Sequence, residues 1–109
     1  MSHYVTGTRV LAISHSNKSD IYIFGYGTYE GEKSPKDFPI EHQPAGMMGR
    51  WLVEDGRENP CIKLEDGKYI WGCECWWGPA EAAEEHIEGL VVKKVDIQEQ
   101  RKEWMKETN

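Results

Sequence analysis

The feature that most limits the fold of this chain is the segment from Lys68 to Pro79, which reads KYIWGCECWWGP. Three of the five tryptophans and two of the three cysteines lie in these twelve residues, with glycines between them. Aromatic residues at this density favour a β-strand. The dipeptide Asp66-Gly67 separates the segment from the strand-type run Cys61–Leu64, and Asp-Gly is a preferred hairpin turn. The sequence therefore predicts an antiparallel hairpin whose second strand runs over residues 69–76.

Alternation along a straight strand would divide this segment between two faces of the sheet. One face would carry Tyr69, Trp71, Cys73, Cys75 and Trp77, and the other would carry Ile70, Gly72, Glu74 and Trp76. Glu74 then lies among aromatic residues, and a buried carboxylate needs a cation or several hydrogen-bond donors. The candidate partners are Arg9, Arg50 and Arg57.

The apolar and turn-residue patterns in the rest of the chain predict secondary-structure elements in the order β-β-loop-β-β-α-β-α. The expected elements are strands over Arg9–Ile13, Ile21–Phe24 (continuing towards Gly31), Cys61–Leu64 and Leu90–Val95, and helices over Ala80–Glu88 and Ile97 to about Glu107. Asp96 is expected to cap the last helix. Glycines at 25, 27 and 31 share one parity, which favours either a bend or the close approach of something flat. The predicted fold is α+β: a small, strongly curved antiparallel sheet or partial barrel of about five strands, with the two C-terminal helices on one side.

Residues 32–60 form the least regular part of the sequence. Four prolines and three glycines interrupt it, and loops of this length are usually functional or disordered. Met47–Val53 is apolar enough to form one or two helical turns. We expect this loop to fold over the sheet as a lid or to pack against a second subunit.

Length and charge exclude several classes of function. A chain of 109 residues is expected to form a single domain over 1–109. The formal net charge of −6 argues against binding to a nucleic-acid backbone, which needs clustered Lys and Arg. No apolar run is long enough for a membrane span, and no signal peptide precedes the first strand. Three cysteines, an odd number, suggest reduced thiols and a cytoplasmic protein.

Catalytic and metal-binding signatures are weak. Cys61, Cys73, Cys75 and His86 could supply a zinc site, but Cys-x-Cys on a strand separates the two thiols. A dyad of Cys73 or Cys75 with a histidine lacks a flanking motif. We therefore predict no catalytic residue, no metal and no cofactor, and interpret the chain as a protein that is not an enzyme.

Binding by stacking is the chemistry that the residue types favour. Exposed aromatic rings hold a purine or a similar ring by stacking, and arginine binds phosphate through two hydrogen bonds. The predicted ligand-binding residues are Tyr26, Arg50, Trp51, Arg57, Asn59, Trp76 and Trp77. The alternative interpretation is that the tryptophans belong to the core.

Three pieces of the chain carry a resemblance to small proteins encoded by phages. They are IFGYGTYEG (23–31), NPCIKLEDG (59–67) and GCECWWGP (72–79), together about a quarter of the chain. Within that class the chain loosely resembles the anti-Thoeris sponges, which sequester cyclic ADP-ribose signals. The resemblance implies a sheet with helices, dimers or larger oligomers, and binding without cleavage. It transfers no individual residue.

The sequence thus predicts a phage anti-defence protein of the host cytoplasm that sequesters a small cyclic-nucleotide signal. A different prediction is an acidic inhibitor that docks on a host defence protein, as anti-CRISPR proteins do, through Glu81, Glu84, Glu85 and Glu88. A third is a small hydrolase of nucleotide signals.

Overall fold

A computed structural model describes residues 4–108. Its strands are β1 (Arg9–Ser16), β2 (Asp20–Lys33), β3 (Asn59–Leu64), β4 (Tyr69–Trp71), β5 (Trp76–Pro79) and β6 (Val91–Lys94). Its α-helices are α1 (Gly46–Asp55), α2 (Ala80–Ile87) and α3 (Ile97–Thr108). Short 3-10 turns cover Pro35–Asp37, Ile40–His42 and Gly72–Glu74. The α+β prediction is confirmed, with six strands instead of about five.

The long strand β2 organises the sheet. The strand order is β4-β3-β2-β1-β5, and neighbours along this path are antiparallel. β6 pairs with the first residues of β2 in parallel, from Asp20 opposite Val91 to Ile23 opposite Lys94. β3 pairs with the other end of the same strand, from Gly27 onward. The 14-residue strand β2 therefore pairs with both β6 and β3 along one edge. The sheet does not close into a barrel within residues 4–108.

The glycines of β2 mark its bends. Gly25 and Gly31 have φ values of 128° and 97°, which L-residues with a side chain rarely adopt. The pairing of β1 with β2 shifts register next to Gly25, and the pairing of β2 with β3 shifts between Tyr29 and Gly31. The structure therefore supports the interpretation of these glycines as bend positions.

The prediction of one strand over residues 69–76 is wrong. The chain leaves the sheet at Trp71, turns through Gly72–Glu74, and re-enters as β5 beside β1 at the opposite end. The turn is stabilised by side chains that accept hydrogen bonds from its backbone: Glu74 Oε1 from Trp71 N at 3.1 Å, and Asn59 Oδ1 from Cys73 N at 2.9 Å. Polar side chains that satisfy the backbone compete with a sheet ladder. The alternation expected beyond Trp71 is therefore lost.

Buried side chains form clusters on both faces of the sheet. One contains Val10, Ala12, Phe24 and Tyr29 together with Ile97 of α3. The other contains Leu11, Ile21 and Ile23 together with Ala83 of α2. Because Val10 and Ala12 point opposite to Leu11 along β1, the two helices cover opposite faces. The expectation that both C-terminal helices lie on one side is therefore wrong.

The segment 32–60 is more ordered than its sequence suggests. The expected helical turns over Met47–Val53 are confirmed as α1, which ends at Gly56 in the left-handed conformation (φ 65°). α1 packs against α3 and the turn Pro35–Asp37. The segment is thus anchored to the C-terminal helix, and that packing creates a cavity.

Candidate functional site

The candidate binding site is a cavity of about 490 Å³ between α1 and α3. Ile40, Val53 and Met105 contribute apolar surface to its walls. Its charged lining consists of Arg50, Arg101, Lys102, Glu41 and Glu54. An apolar cavity of this size with a few polar groups is typical of a small-molecule site.

Close approach of α1 to the preceding segment forms one wall of this α1–α3 cavity. A Cβ atom on Gly49 would lie 2.2 Å from the carbonyl oxygen of Pro44, so only glycine fits at this helical position. The same segment is tied to α3 through one backbone group, because the Glu41 carbonyl accepts hydrogen bonds from Gln98 Nε2 at 2.8 Å and from Arg101 Nη1 at 3.1 Å. Steric contact with α1 and hydrogen bonds to α3 therefore hold this segment in place.

The Arg101 side chain is buried and forms its hydrogen bonds inside the protein. Its Nε and Nη2 atoms donate to the two carboxylate oxygens of Glu74, both at 2.8 Å, and Nη2 also donates to the Tyr69 carbonyl at 2.8 Å. The two side chains are only 6% and 2% exposed. A bidentate pair of this kind neutralises both charges. The other cations of the cavity are Arg50 and Lys102, both exposed, with Lys102 Nζ 3.6 Å from Glu99 Oε1.

This pair corrects the prediction for Glu74. Glu74 is buried, as expected, but its partner is Arg101 and not Arg9, Arg50 or Arg57. The sequence does carry a signal for this partner. Arg101 occupies one position of the apolar stripe of the last helix, between Ile97 and Trp104, and a cation in such a stripe indicates a buried carboxylate nearby.

The predicted tryptophan site forms a different groove, of about 550 Å³. Its walls include Trp76 and Trp77 with Ser14, Cys73 and Cys75. Trp77 is half-buried and stacks on Tyr29 with ring centroids 5.3 Å apart, whereas Trp76 is 77% exposed. Trp77 thus belongs partly to the core, whereas the ring of Trp76 is exposed to solvent. No arginine lines this groove within residues 4–108.

The other predicted site residues lie apart from both cavities. Tyr26 donates from its hydroxyl to Glu84 at 2.9 Å, and the Arg9 guanidinium lies 4.1 Å above its ring. Desolvation, together with the Glu84 carboxylate, raises the pKa of Tyr26.

Trp51 lies on the exposed side of α1 with the Arg57 guanidinium 4.8 Å from its ring centroid, and Asn59 holds the turn at Cys73. The structure therefore places Arg50 in the α1–α3 cavity, pairs Trp76 with Trp77 in the groove, and does not assemble the predicted set into one site.

The thiols are poorly suited to nucleophilic attack. Burial raises the pKa of Cys61 to about 12, and desolvation with the adjacent Glu74 carboxylate raises the pKa of Cys73 to about 12. Desolvation also raises the pKa of Cys75, whose thiol donates to the Trp71 carbonyl. Attack requires the thiolate, which these environments disfavour. The alternative zinc set of three thiols and His86 is not assembled in the described part of the chain.

No protein-family model, no curated protein and no solved structure matches this chain. Across residues 4–108, none of the helices has the length and apolar character that crossing a membrane requires.

Proposed function

We propose that this protein binds and sequesters a small nucleotide signal of the cyclic ADP-ribose type, without cleaving it, in the α1–α3 cavity. The observation that carries the proposal is the combination, in one cavity of about 490 Å³, of an apolar wall with two exposed cations, Arg50 and Lys102. The remaining parts of the proposal follow the phage resemblance: an anti-defence role in the host cytoplasm, and self-association of the chain.

The cavity offers a partner for each part of such a ligand. Arg50 and Lys102 are exposed cations that suit a pyrophosphate, and Arg50 can bind it through two hydrogen bonds. Glu41 and Glu54 can accept hydrogen bonds from ribose hydroxyls. Ile40, Val53 and Met105 provide apolar surface for the base, and thioether sulfur makes favourable contacts with aromatic rings. In this proposal the predicted tryptophan stack is replaced by aliphatic contacts.

Binding without cleavage is supported by the state of the thiols. The raised pKa of the buried Cys61 keeps its thiol protonated at neutral pH, so this group is not an activated nucleophile.

The test is isothermal titration calorimetry of the full chain against cyclic ADP-ribose isomers and cyclic di- and trinucleotides. Arg50→Ala should weaken binding by about tenfold to a hundredfold, because a charge-assisted contact is lost. Arg57→Ala is the matched control, since Arg57 is an exposed arginine outside the cavity, and it should bind like the wild type. Absence of binding to every ligand would contradict the proposal.

A second variant distinguishes the two cavities. Trp76→Ala removes the open ring of the groove and should leave affinity unchanged if the ligand binds between α1 and α3. Loss of binding in Trp76→Ala, with no effect of Arg50→Ala, would move the site to the groove and refute the α1–α3 assignment. Recovery of the bound ligand with its mass unchanged separates a sponge from a hydrolase.

An acidic inhibitor of a host defence protein is the second candidate. It is favoured by the outer side of α2, where Glu81, Glu85 and Glu88 are exposed while Ala80 and Ala83 face the interior. Complementary charge would steer such a surface to a basic patch on a partner. Triple replacement of these glutamates by glutamine should then abolish inhibition of the partner while leaving nucleotide binding intact.

A further inference from the structure

Two of the three cysteines line one groove, beside the turn Gly72–Glu74. Cys73 is exposed and Cys75 is half-buried, and both belong to the walls of the groove of about 550 Å³ that also contains Trp76. The third thiol, Cys61, is fully buried and lies outside this groove. We refer to Cys73 and Cys75 as the thiol pair. The groove shares no lining residue with the α1–α3 cavity, so the pair is independent of the proposed nucleotide site.

The turn brings the two cysteines closer together than a strand would. Glu74, the residue between them, belongs to the 3-10 turn Gly72–Glu74. A 3-10 turn rises about 2.0 Å per residue, whereas a strand rises about 3.3 Å. Separation of the two thiols on a strand was the argument against a metal site in the sequence. That argument does not apply to the folded chain, in which both cysteines line the same groove.

Hydrogen bonds hold each member of the thiol pair in place. The Cys73 amide donates to Asn59 Oδ1 at 2.9 Å, and the Cys75 thiol donates to the Trp71 carbonyl at 3.6 Å. A binding site requires ligand residues whose positions are fixed by the surrounding structure. The pair meets this requirement before any ion binds.

The type and number of ligands select the ion. Soft thiolate ligands favour Cu(I), zinc and iron–sulfur clusters. Zinc sites and iron–sulfur clusters use three or four protein ligands, whereas two thiolates are sufficient for Cu(I). Within residues 4–108, no three side chains of Cys, His, Asp or Glu are arranged to hold a metal. Glu74 lies between the two cysteines, but both of its oxygens accept hydrogen bonds from Arg101.

We propose that the thiol pair binds one soft monovalent cation, Cu(I), between Cys73 Sγ and Cys75 Sγ. Each thiol releases its proton to water as its sulfur bonds to the ion, because the thiolate is the metal ligand. The raised pKa of Cys75 disfavours a free thiolate but not this exchange, in which the cation replaces the proton on sulfur. Trp76 and Trp77 form the indole walls beside the ion.

Anaerobic competition with bicinchoninate, a chromophoric Cu(I) chelator, measures the stoichiometry and the affinity of the full chain. The wild type should bind one Cu(I) per chain. Cys73→Ser and Cys75→Ser should each weaken binding by about a hundredfold or more, because the second thiolate then no longer binds within the same chain. Cys61→Ala is the matched control, since it removes a thiol outside the groove, and it should bind Cu(I) like the wild type. Circular dichroism confirms that each variant is folded.

X-ray absorption at the copper edge tests the coordination without any variant. The spectrum of the loaded wild type should show two sulfur ligands. A tenfold excess of Zn(II) should not displace the bound Cu(I), because a zinc site needs more ligands than the pair supplies.

Three outcomes would overturn the proposal. The first is a wild type that takes up no Cu(I) in the presence of the chelator, or only half an ion per chain. The second is a Cys75→Ser variant with wild-type affinity, which would leave the exposed Cys73 as an isolated thiol. The third is a copper site with a number of sulfur ligands other than two. None of these outcomes bears on the nucleotide titrations, which probe a separate cavity.

Discussion

At the scale of the residue, Asp96 shows how one side chain fixes the start of a helix and joins it to a distant turn. Its Oδ2 accepts a hydrogen bond from the Glu99 backbone at 3.0 Å, which confirms the predicted N-cap of α3. Its Oδ1 accepts from the Lys68 ammonium group in the turn between β3 and β4. The Lys68 hydrogen bond, followed by the backbone donors, lowers the pKa of Asp96 below its usual 3.8 despite partial desolvation.

The lowered pKa gives the protein a defined pH dependence. Because the folded state prefers the ionised carboxylate, this contribution to stability is present above about pH 3.8 and is lost as pH falls through the lower folded-state pKa. Asp96→Asn should lower the free energy of unfolding at pH 7 by about 0.5–1 kcal/mol, a small value because both groups are partly exposed. In strong acid the difference from the wild type should disappear.

Urea denaturation at pH 7 and near pH 2 measures this effect. Glu103→Gln on the exposed side of α3 is the control and should change stability by less than about 0.5 kcal/mol at either pH. A difference between Asp96→Asn and the wild type that is the same at both pH values would assign the effect to the hydrogen bond alone and not to the charge.

Among the secondary-structure elements, β2 depends on glycine at position 27, where the backbone of β3 approaches closely. A Cβ atom on Gly27 would lie 2.5 Å from the Lys63 carbonyl oxygen and 3.0 Å from Ile62 Cγ2 on β3. Gly78 on β5 has no heavy atom within 4 Å of the same position, and its φ is not positive. Steric contact with β3 therefore requires glycine at position 27, whereas neither contact nor backbone conformation requires it at position 78.

Alanine substitution separates these two cases. Gly27→Ala should lower the free energy of unfolding by about 1–3 kcal/mol, because a backbone carbonyl cannot move aside without disturbing the pairing of β2 with β3. Gly78→Ala should leave stability unchanged or raise it by up to about 1 kcal/mol, since alanine restricts the unfolded chain. Thermal and urea unfolding of both variants measure the difference, and equal effects would contradict this account of Gly27.

At the scale of the whole molecule, the Glu74–Arg101 pair joins parts of the chain that are far apart in sequence. Arg101 of α3 bonds to Glu74 in the turn between β4 and β5, to the Tyr69 carbonyl, and to the Glu41 carbonyl beside the cavity. The pair therefore connects α3 to the turn between β4 and β5, and Arg101 also holds the Glu41 backbone that lines the α1–α3 cavity.

Removing one partner should be costly. Arg101→Met leaves the Glu74 carboxylate buried without its cation and should lower the free energy of unfolding by about 3–5 kcal/mol. The double variant E74Q/R101M should be less destabilised than the sum of the two single variants, because no buried charge remains in it. Lys102→Met, an exposed neighbour on α3, is the control and should stay within about 0.5 kcal/mol of the wild type.

Urea unfolding of the four proteins supplies a double-mutant cycle. Strict additivity would contradict direct coupling of Glu74 with Arg101.

Much of the fold was predictable because its signals are local. The β1–β2 hairpin, the turn at Asp66-Gly67, the helices near residues 80 and 97, and the cap at Asp96 all follow from alternation, turn residues and helical spacing. The turn is confirmed by Gly67, whose φ is 91° and whose amide donates to the Leu64 carbonyl at 2.9 Å. The helix within 46–55 was visible as an apolar run, although its bounds were not.

The candidate site was largely beyond the sequence. Arg50 was predicted and lines the cavity, but Lys102, Val53 and Met105 were not predicted, since α1 and α3 are separated by about forty residues of chain. The prediction of one strand over the aromatic segment was wrong, because its strand-type composition gives no sign of the turn at Gly72–Glu74. With that turn, Trp71 is buried in the core and Trp76 is exposed.

Local sequence patterns fix the turn at Asp66-Gly67, the helices near residues 80 and 97 and the cap at Asp96, because these features depend on backbone preferences within a few residues. The cation that neutralises Glu74, the edge of β2 that pairs with β6 and the side chains that surround the cavity are set only when distant segments pack together. Those outcomes depend on contacts between segments distant in sequence, where burial sets the strength of every charge and hydrogen bond.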